Sequence, residues 1–200
     1  SSGNSDVIFC RPTGTSGAST STEVISITKS NLRLRGPGIN MQMIPTDTTT
    51  ATIRIMANNV ELSGFYVSTA ATGTRNALEI SGDNVLVRDC WVNNSRGHGI
   101  YTTSSARSRI LTTVVENSGQ SGTGNGIFMD SDTTQALVSR CIVSENQNGV
   151  SLSGSNVENN VIENSLIFNN NTYGITVGSG VSQTMVRGQN TIVNNGTNTN

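Results

Sequence analysis

The sequence predicts an all-β chain wound as a solenoid of parallel strands, about seven coils of three short strands each. Three observations predict it. A self-similar unit restarts at Gly99-Ile100, Gly126-Ile127, Gly149-Val150 and Gly174-Ile175, in steps of 27, 23 and 25 residues. Periods of this size mark stacked repeat architectures. Apolar residues fall in short runs that alternate with polar ones, the pattern of half-buried strands. No window shows helical spacing, and the abundant Asn, Gly and β-branched residues disfavour helix throughout.

The unit is clearest from Gly126 to Gly149. It reads Gly126-Ile127-Phe128-Met129-Asp130, then Ala136-Leu137-Val138-Ser139, then Arg140-Cys141-Ile142-Val143-Ser144, and closes on Glu145-Asn146. The chain opens with a strand at Asp6-Val7-Ile8-Phe9-Cys10-Arg11 that stops at Pro12, followed by a polar excursion from Thr13 to Thr22. Val24-Ile25-Ser26-Ile27 and Asn31-Leu32-Arg33-Leu34-Arg35-Gly36 come next. The following coil supplies Ile53-Arg54-Ile55, Asn59-Val60-Glu61-Leu62-Ser63-Gly64 and Phe65-Tyr66-Val67. The one after it supplies Leu78-Glu79-Ile80, Asn84-Val85-Leu86-Val87 and Cys90-Trp91-Val92, and later copies repeat the scheme through Ile192-Val193. All three prolines precede residue 46, so later strands keep every ladder donor. Three strands per turn, without two-residue Asn-Gly loops between them, do not close as hairpins. Each strand is expected to pair with its equivalent one coil on. Asn recurs at the third corner (Asn93-Asn94, Asn117, Asn146, Asn169 to Asn171, Asn194-Asn195), where it suits left-handed backbone and stacks on its copies. Residues 1–200 form one domain, with 1–23 as opening strand and loop and 24–200 as coils.

Only 12% of residues are charged and 4% aromatic, so no thick globular core is possible, and the regular Val, Ile and Leu spacing argues against disorder. A net charge of -1, with one Lys against eleven Arg, leaves no basic stripe for nucleic acid. No run approaches the ~20 apolar residues that span a bilayer, so membrane insertion is not expected. Cys10, Cys90 and Cys141 form no CxxC pair and the chain has one His, which argues against a metal site; no cofactor is expected. Cys90 and Cys141 sit at equivalent places two repeats apart, about 10 Å if strands stack at ~4.8 Å, too far for a disulfide. They read as small buried hydrophobes. Ser1 follows no recognisable start and the last coil ends uncapped on Asn198-Thr199-Asn200, so a longer parent chain is expected.

The opening, from Asp6-Val7-Ile8-Phe9-Cys10-Arg11-Pro12 through Ile25-Ser26-Ile27-Thr28-Lys29-Ser30-Asn31-Leu32-Arg33-Leu34-Arg35-Gly36-Pro37-Gly38, resembles the first coils of the pectin-lyase-like superfamily. The resemblance implies a single-stranded right-handed parallel β-helix. That superfamily holds pectate lyases, polygalacturonases, alginate epimerases and the tailspikes and tail fibres of bacteriophages. Fold does not carry function, so each catalytic signature is tested separately.

Gly97-His98-Gly99 is similar to the Gly-His-Gly of polygalacturonases, whose partners are an Asp pair one coil earlier and Arg-x-Lys one coil later. Here those places read Thr74-Arg75-Asn76-Ala77 and Ile127-Phe128-Met129-Asp130. Hydrolysis by two carboxylates therefore lacks its partners, and His98 reads as exposed between turn glycines. Asp130 and Asp132, at i and i+2, are the one close acid pair, suited to a glycosidase or to a Ca²⁺ site, although Asp130-Ser131-Asp132-Thr133 is also an ordinary polar turn. His98, Asp130 and Asp132 are thus the catalytic candidates. The acid and base motifs of pectate lyases and epimerases are not found.

Binding is better supported. Alternation puts Ser26, Arg54, Glu79, Tyr101, Phe128, Ser151 and Thr176 in one outward column on the first strand of each coil. Arg54, Glu79, Tyr101 and Phe128 would form an aromatic platform with polar flanks, suited to sugar rings or a protein partner. The column lacks the Thr array of an ice-binding surface. On the third strand Tyr66, Trp91, Val114, Ile142 and Leu166 face outward while Phe65, Val67, Cys90 and Val92 face inward. Leu86, Leu137 and Val161 add to the outer ridge. Strands apolar on both faces imply a covered outer face, and a homotrimer packed on this ridge is the expectation. The resulting reading is a structural, receptor-binding segment of a phage-like tail fibre or tailspike, located in the virion tail and contacting host surface glycan or a protein receptor. A carbohydrate-active enzyme on an acidic polysaccharide, secreted or cell-surface, is the alternative, and a bacterial surface adhesin module the third.

Overall fold

The computed structural model describes residues 6–10, 19–69 and 72–199. The stop expected at Pro12, and most of the excursion after it, lie outside the described residues. Among the described residues there is no helix, and the strands pair in parallel, stacked as a solenoid of about seven turns.

The coil has three faces. The first is an eight-stranded sheet running from Ile25–Ile27 through Ile53–Ile55, Leu78–Ile80, Ile100–Thr102, Asn125–Met129, Asn148–Leu152 and Tyr173–Val177 to Thr197–Thr199. The second carries Leu86–Arg88, Arg109–Leu111, Leu137–Ser139, Val161–Glu163 and Met185–Arg187. The third carries Trp91–Asn93, Val114–Glu116, Ile142–Ser144, Leu166–Phe168 and Thr191–Val193. In the early coils the second and third faces are continuous. Leu32–Met43 and Glu61–Val67 each run along both, and they join the two faces into one 14-stranded sheet. The run read as ending at Gly36 therefore continues to Met43. The cause is a close approach of backbones: a Cβ on Gly36 would lie 2.3 Å from the Gly64 carbonyl oxygen. The pairing shifts register on either side of Gly38 rather than breaking. The opening segment also contributes strands, since Asp6–Phe9 pairs with the start of Leu32–Met43 and Ser19–Ser21 with its end.

Alternation fills the bore with columns of buried side chains, aliphatic apart from Thr102 and Met129. On the first face Ile55, Ile80, Thr102, Met129 and Leu152 stack inward, on the second Leu62, Val87, Ile110, Val138 and Ile162, and on the third Val67, Val92, Val115, Val143 and Ile167, all buried. Each buried aliphatic contributes about 1.5–3 kcal/mol of transfer free energy, an upper figure for a chain partly collapsed when unfolded. The restart glycines follow from the same stacking. A Cβ on Gly99 would lie 2.6 Å from the Gly126 carbonyl, one on Gly126 2.8 Å from that of Gly149, and one on Gly149 2.3 Å from that of Gly174. Only a residue without a side chain fits where adjacent coils approach this closely.

Corners turn on single residues with left-handed backbone. The corner leaving the third face uses Asn94, Asn117, Glu145, Asn169 and Asn194. The corner before the second face uses Asn31, Asn59, Asn84, Arg107, Gln135 and Asn159, and the corner before the third uses Asp89, Thr112, Arg140 and Asn164. Asn is the side chain that best tolerates this region. The asparagines of the third corner divide between two jobs. Asn146, Asn170 and Asn195 point inward as a bonded ladder, with Asn146 Nδ2 donating to Asn170 Oδ1 at 3.0 Å and Asn170 Nδ2 to Asn195 Oδ1 at 2.8 Å. Cys90 and Cys141 are free, buried and unbridged.

Candidate functional site

The outward column of the first face forms in the expected register: Ser26 on Arg54, Arg54 on Glu79, Glu79 on Tyr101, Tyr101 on Phe128, Phe128 on Ser151, and Ser151 on Thr176. Arg54 Nη2 pairs with Glu79 Oε1 at 3.3 Å. The Tyr101 and Phe128 ring centroids are 5.8 Å apart and tilted by 39°.

His98 joins them. It was expected to stand exposed between turn glycines; instead it is half-buried, 5.6 Å from the Tyr101 ring and nearly parallel to it, and 4.7 Å from Phe128. Gly97 permits the corner, since its Cβ would lie 2.4 Å from the Thr74 carbonyl. Two bonds then fix the residue, one at its backbone and one at the imidazole. The His98 N–H donates to Asn76 Oδ1 and the Asn125 N–H donates to His98 Nδ1, both at 3.0 Å. With Nδ1 accepting, the proton of the neutral ring sits on Nε2. Burial pushes the His98 pKa down to about 4, against a weaker upward pull from Asp130, so the ring is neutral at physiological pH.

Asp130 completes the cluster. Tyr101 donates its hydroxyl to Asp130 Oδ2 at 2.7 Å, and the Ser131 N–H donates to Oδ1 at 2.7 Å. Burial and the adjacent carboxylate push the Tyr101 phenol up to about 12. Burial alone would raise the Asp130 pKa, but the bonds from Tyr101 and Ser131 outweigh it and hold the carboxyl below its ordinary value. Asp130 is an anion here and poorly placed to be a general acid. Asp132 does not face it as a partner. It sits exposed at a left-handed corner and accepts from Asn156 Nδ2 at 2.8 Å, one coil further on, whereas Asp130 is held from one coil back. The chain turns between the two residues, and each carboxylate is bonded to a different neighbouring coil.

The sequence places Tyr101 and Phe128 in one column, but puts neither His98 nor Asp130 beside them. Asn76 and Asn125, which position His98, were not singled out. Their signal is positional: Asn76, His98, Asn125, Asn148 and Tyr173 each stand two residues before the first buried aliphatic of a first-face strand. Where the resemblance to polygalacturonases would put an Asp pair, Arg75 is buried and donates to the Thr50 carbonyl at 3.0 Å and that of Pro45 at 3.1 Å.

On the third face Tyr66, Trp91, Val114, Ile142 and Leu166 stack in register. Tyr66 and Trp91 meet edge to face at 5.2 Å, and Trp91 Nε1 donates to Glu116 Oε1 at 2.8 Å. Ile142 and Leu166 are exposed by 39% and 36%, large fractions for aliphatics in the middle of a sheet.

Residues 20–196 match the family model described as "Right handed beta helix region". No curated protein matches the sequence. Among solved structures, the chain is similar to pectate lyase Pel9A, with a TM-score of 0.63 and 15% identity over 90% of this chain and 51% of that one. It is similar to the A-module of the mannuronan C-5 epimerase AlgE4 of Azotobacter vinelandii, with a TM-score of 0.65 and 13% identity over 86% of this chain and 57% of that one. It is similar to the Dettilon tailspike protein, with a TM-score of 0.60 and 13% identity over 94% of this chain and 50% of that one. The chain thus spans about half the length of each.

Proposed function

We propose, for a chain that belongs to the right-handed β-helix family, a structural and receptor-facing role in a phage-like tail fibre or tailspike, with its first face contacting a surface glycan or protein of the host. Its place is the virion tail or another extracellular setting. One observation carries the reading. His98, Tyr101 and Phe128 present three contiguous rings on a rigid parallel sheet, flanked by Asp130 on one side and the Arg54–Glu79 pair on the other. Ring faces with hydrogen-bonding neighbours are what a sugar needs, and Asp130 is held ionised rather than protonated for acid catalysis. The test is a titration with host-surface lipopolysaccharide or capsular oligosaccharide, followed by intrinsic Tyr and Trp fluorescence. Tyr101→Ala and Phe128→Ala point outward and leave the bore intact, so each should weaken binding about tenfold, in line with ~1.5 kcal/mol per aromatic contact. Unchanged affinity in both variants would refute the platform.

The ridge of Tyr66, Trp91, Val114, Ile142 and Leu166 is the surface on which three copies associate in this reading. Sedimentation should give the mass of a trimer, and a clean monomer at tens of micromolar would remove the homotrimer.

A second reading rests on the contact of His98, Tyr101 and Asp130, three titratable side chains with displaced pKa values on one face. It makes the chain a carbohydrate-active enzyme on an acidic polysaccharide. Release of reducing or unsaturated ends by the parent chain, abolished by Asp130→Asn, would favour it.

A further inference from the structure

Arg96 stands at the corner between the third and first faces, two residues before His98. A groove of about 310 Å³ opens there, lined by Gln42, Ser68, Asn94, Arg96 and Gln120 with Ile44 as an apolar floor. No acidic side chain lines it. Elsewhere on the early coils Arg54 and Arg88 pair with Glu79 and Glu61, and Arg75 is spent on the carbonyls of Pro45 and Thr50. Arg96 makes no ion pair among the described residues. Its side chain is anchored only by Nε donating to the Gly73 carbonyl at 3.4 Å, which leaves both terminal nitrogens to the groove.

The backbone around it is fixed across coils. The Arg96 N–H donates to Thr69 Oγ1 at 3.0 Å, Thr69 Oγ1 donates to the Asn94 carbonyl at 3.2 Å, and Ser121 Oγ donates to the Arg96 carbonyl at 2.7 Å. The guanidinium is therefore carried on a rigid corner. A planar fork of donors suits a carboxylate in bidentate geometry. The surrounding amides and hydroxyl suit sugar hydroxyls, and the volume, at the lower end for small-ligand sites, admits a sugar residue.

We propose that this corner groove is a subsite for a carboxylate-bearing sugar. The inference rests on and deepens the glycan-contact reading, and adds a second point of contact, lined by none of the three rings of His98, Tyr101 and Phe128.

The test is a side-chain NMR titration of the chain with a galacturonate trimer, a sialic acid trimer and a neutral galactose trimer. Either acidic trimer should shift the Arg96 Nε resonance and the amides of Gln42, Asn94 and Gln120, and the two trimers together identify which acid fits. The neutral trimer should bind at least tenfold more weakly. Arg96→Gln should remove that preference, while Arg109→Gln, on the second face, should not. Equal binding of acidic and neutral trimers, or an unchanged response in Arg96→Gln, overturns the proposal. Shifts confined to Tyr101 and Phe128 overturn the corner subsite alone, and silence at both places overturns the glycan reading with it.

Discussion

Replacing Asn146 by Ala tests whether the inward asparagine ladder holds the coils together. Asn146 is fully buried. Its Oδ1 accepts the Ser118 N–H at 2.9 Å, and its Nδ2 donates to the Val115 carbonyl at 3.1 Å and to Asn170 Oδ1 at 3.0 Å. Alanine deletes all three bonds and leaves the Ser118 N–H buried without its partner. An orphaned buried donor costs about 1–3 kcal/mol and each lost bond about 1 kcal/mol, so a loss of about 4 kcal/mol is expected. For a chain of this length that lowers the thermal midpoint by roughly 10 °C. Asn171→Ala is the control. Its side chain is exposed, with one long bond of 3.4 Å to Gln147, and should change stability by less than about 0.5 kcal/mol. Urea unfolding followed by far-UV circular dichroism reads both. An Asn146→Ala loss no larger than that of Asn171→Ala would refute the reasoning, and the ladder would then be free to serve another purpose.

Three further outcomes are expected. The chain has one His, so a single imidazole resonance reports on His98, and its midpoint should fall near 4 rather than at the ordinary 6.5. The unfolded chain then binds a proton that the folded chain refuses between those values, so stability should fall as pH drops from about 6.5 to 4 and this contribution should level off below; a midpoint near 6.5 would dissolve the ring cluster. Burial raises the Cys90 and Cys141 thiols to about 11, while Cys10 is only half-buried, so iodoacetamide at mildly alkaline pH should label one thiol in the folded chain and three after denaturation. Gly149→Ala drives a Cβ to within 2.3 Å of the Gly174 carbonyl and should cost about 3 kcal/mol or more. Gly122→Ala, with open space around its Cβ but positive φ, should cost only the ~1 kcal/mol of left-handed backbone, so equal losses would contradict the close approach.

How far the sequence reaches depends on whether a feature repeats. The outward column from Ser26 to Thr176 and the ridge from Tyr66 to Leu166 were legible to the residue, because a strand's side chains alternate and a parallel partner one period away inherits the same phase. The same rule assigned Cys90 and Cys141 to the bore. The left-handed corners at Thr112 and Arg140 carry no such mark, since neither residue type favours that backbone and only the stacking of neighbouring coils imposes it.

The sequence by itself determined the period, the inward and outward phase of each strand, and hence the columns, since both follow from local alternation and a repeat length. Tertiary structure decided what breaks the period. It ran Leu32–Met43 and Glu61–Val67 through a corner where two glycine backbones touch, bonded Asp130 and Asp132 to different coils, and tucked His98 against Tyr101 and Phe128. These depend on backbone direction at bends, where side-chain type no longer tells which way a residue points; the Arg96 groove lies at such a bend.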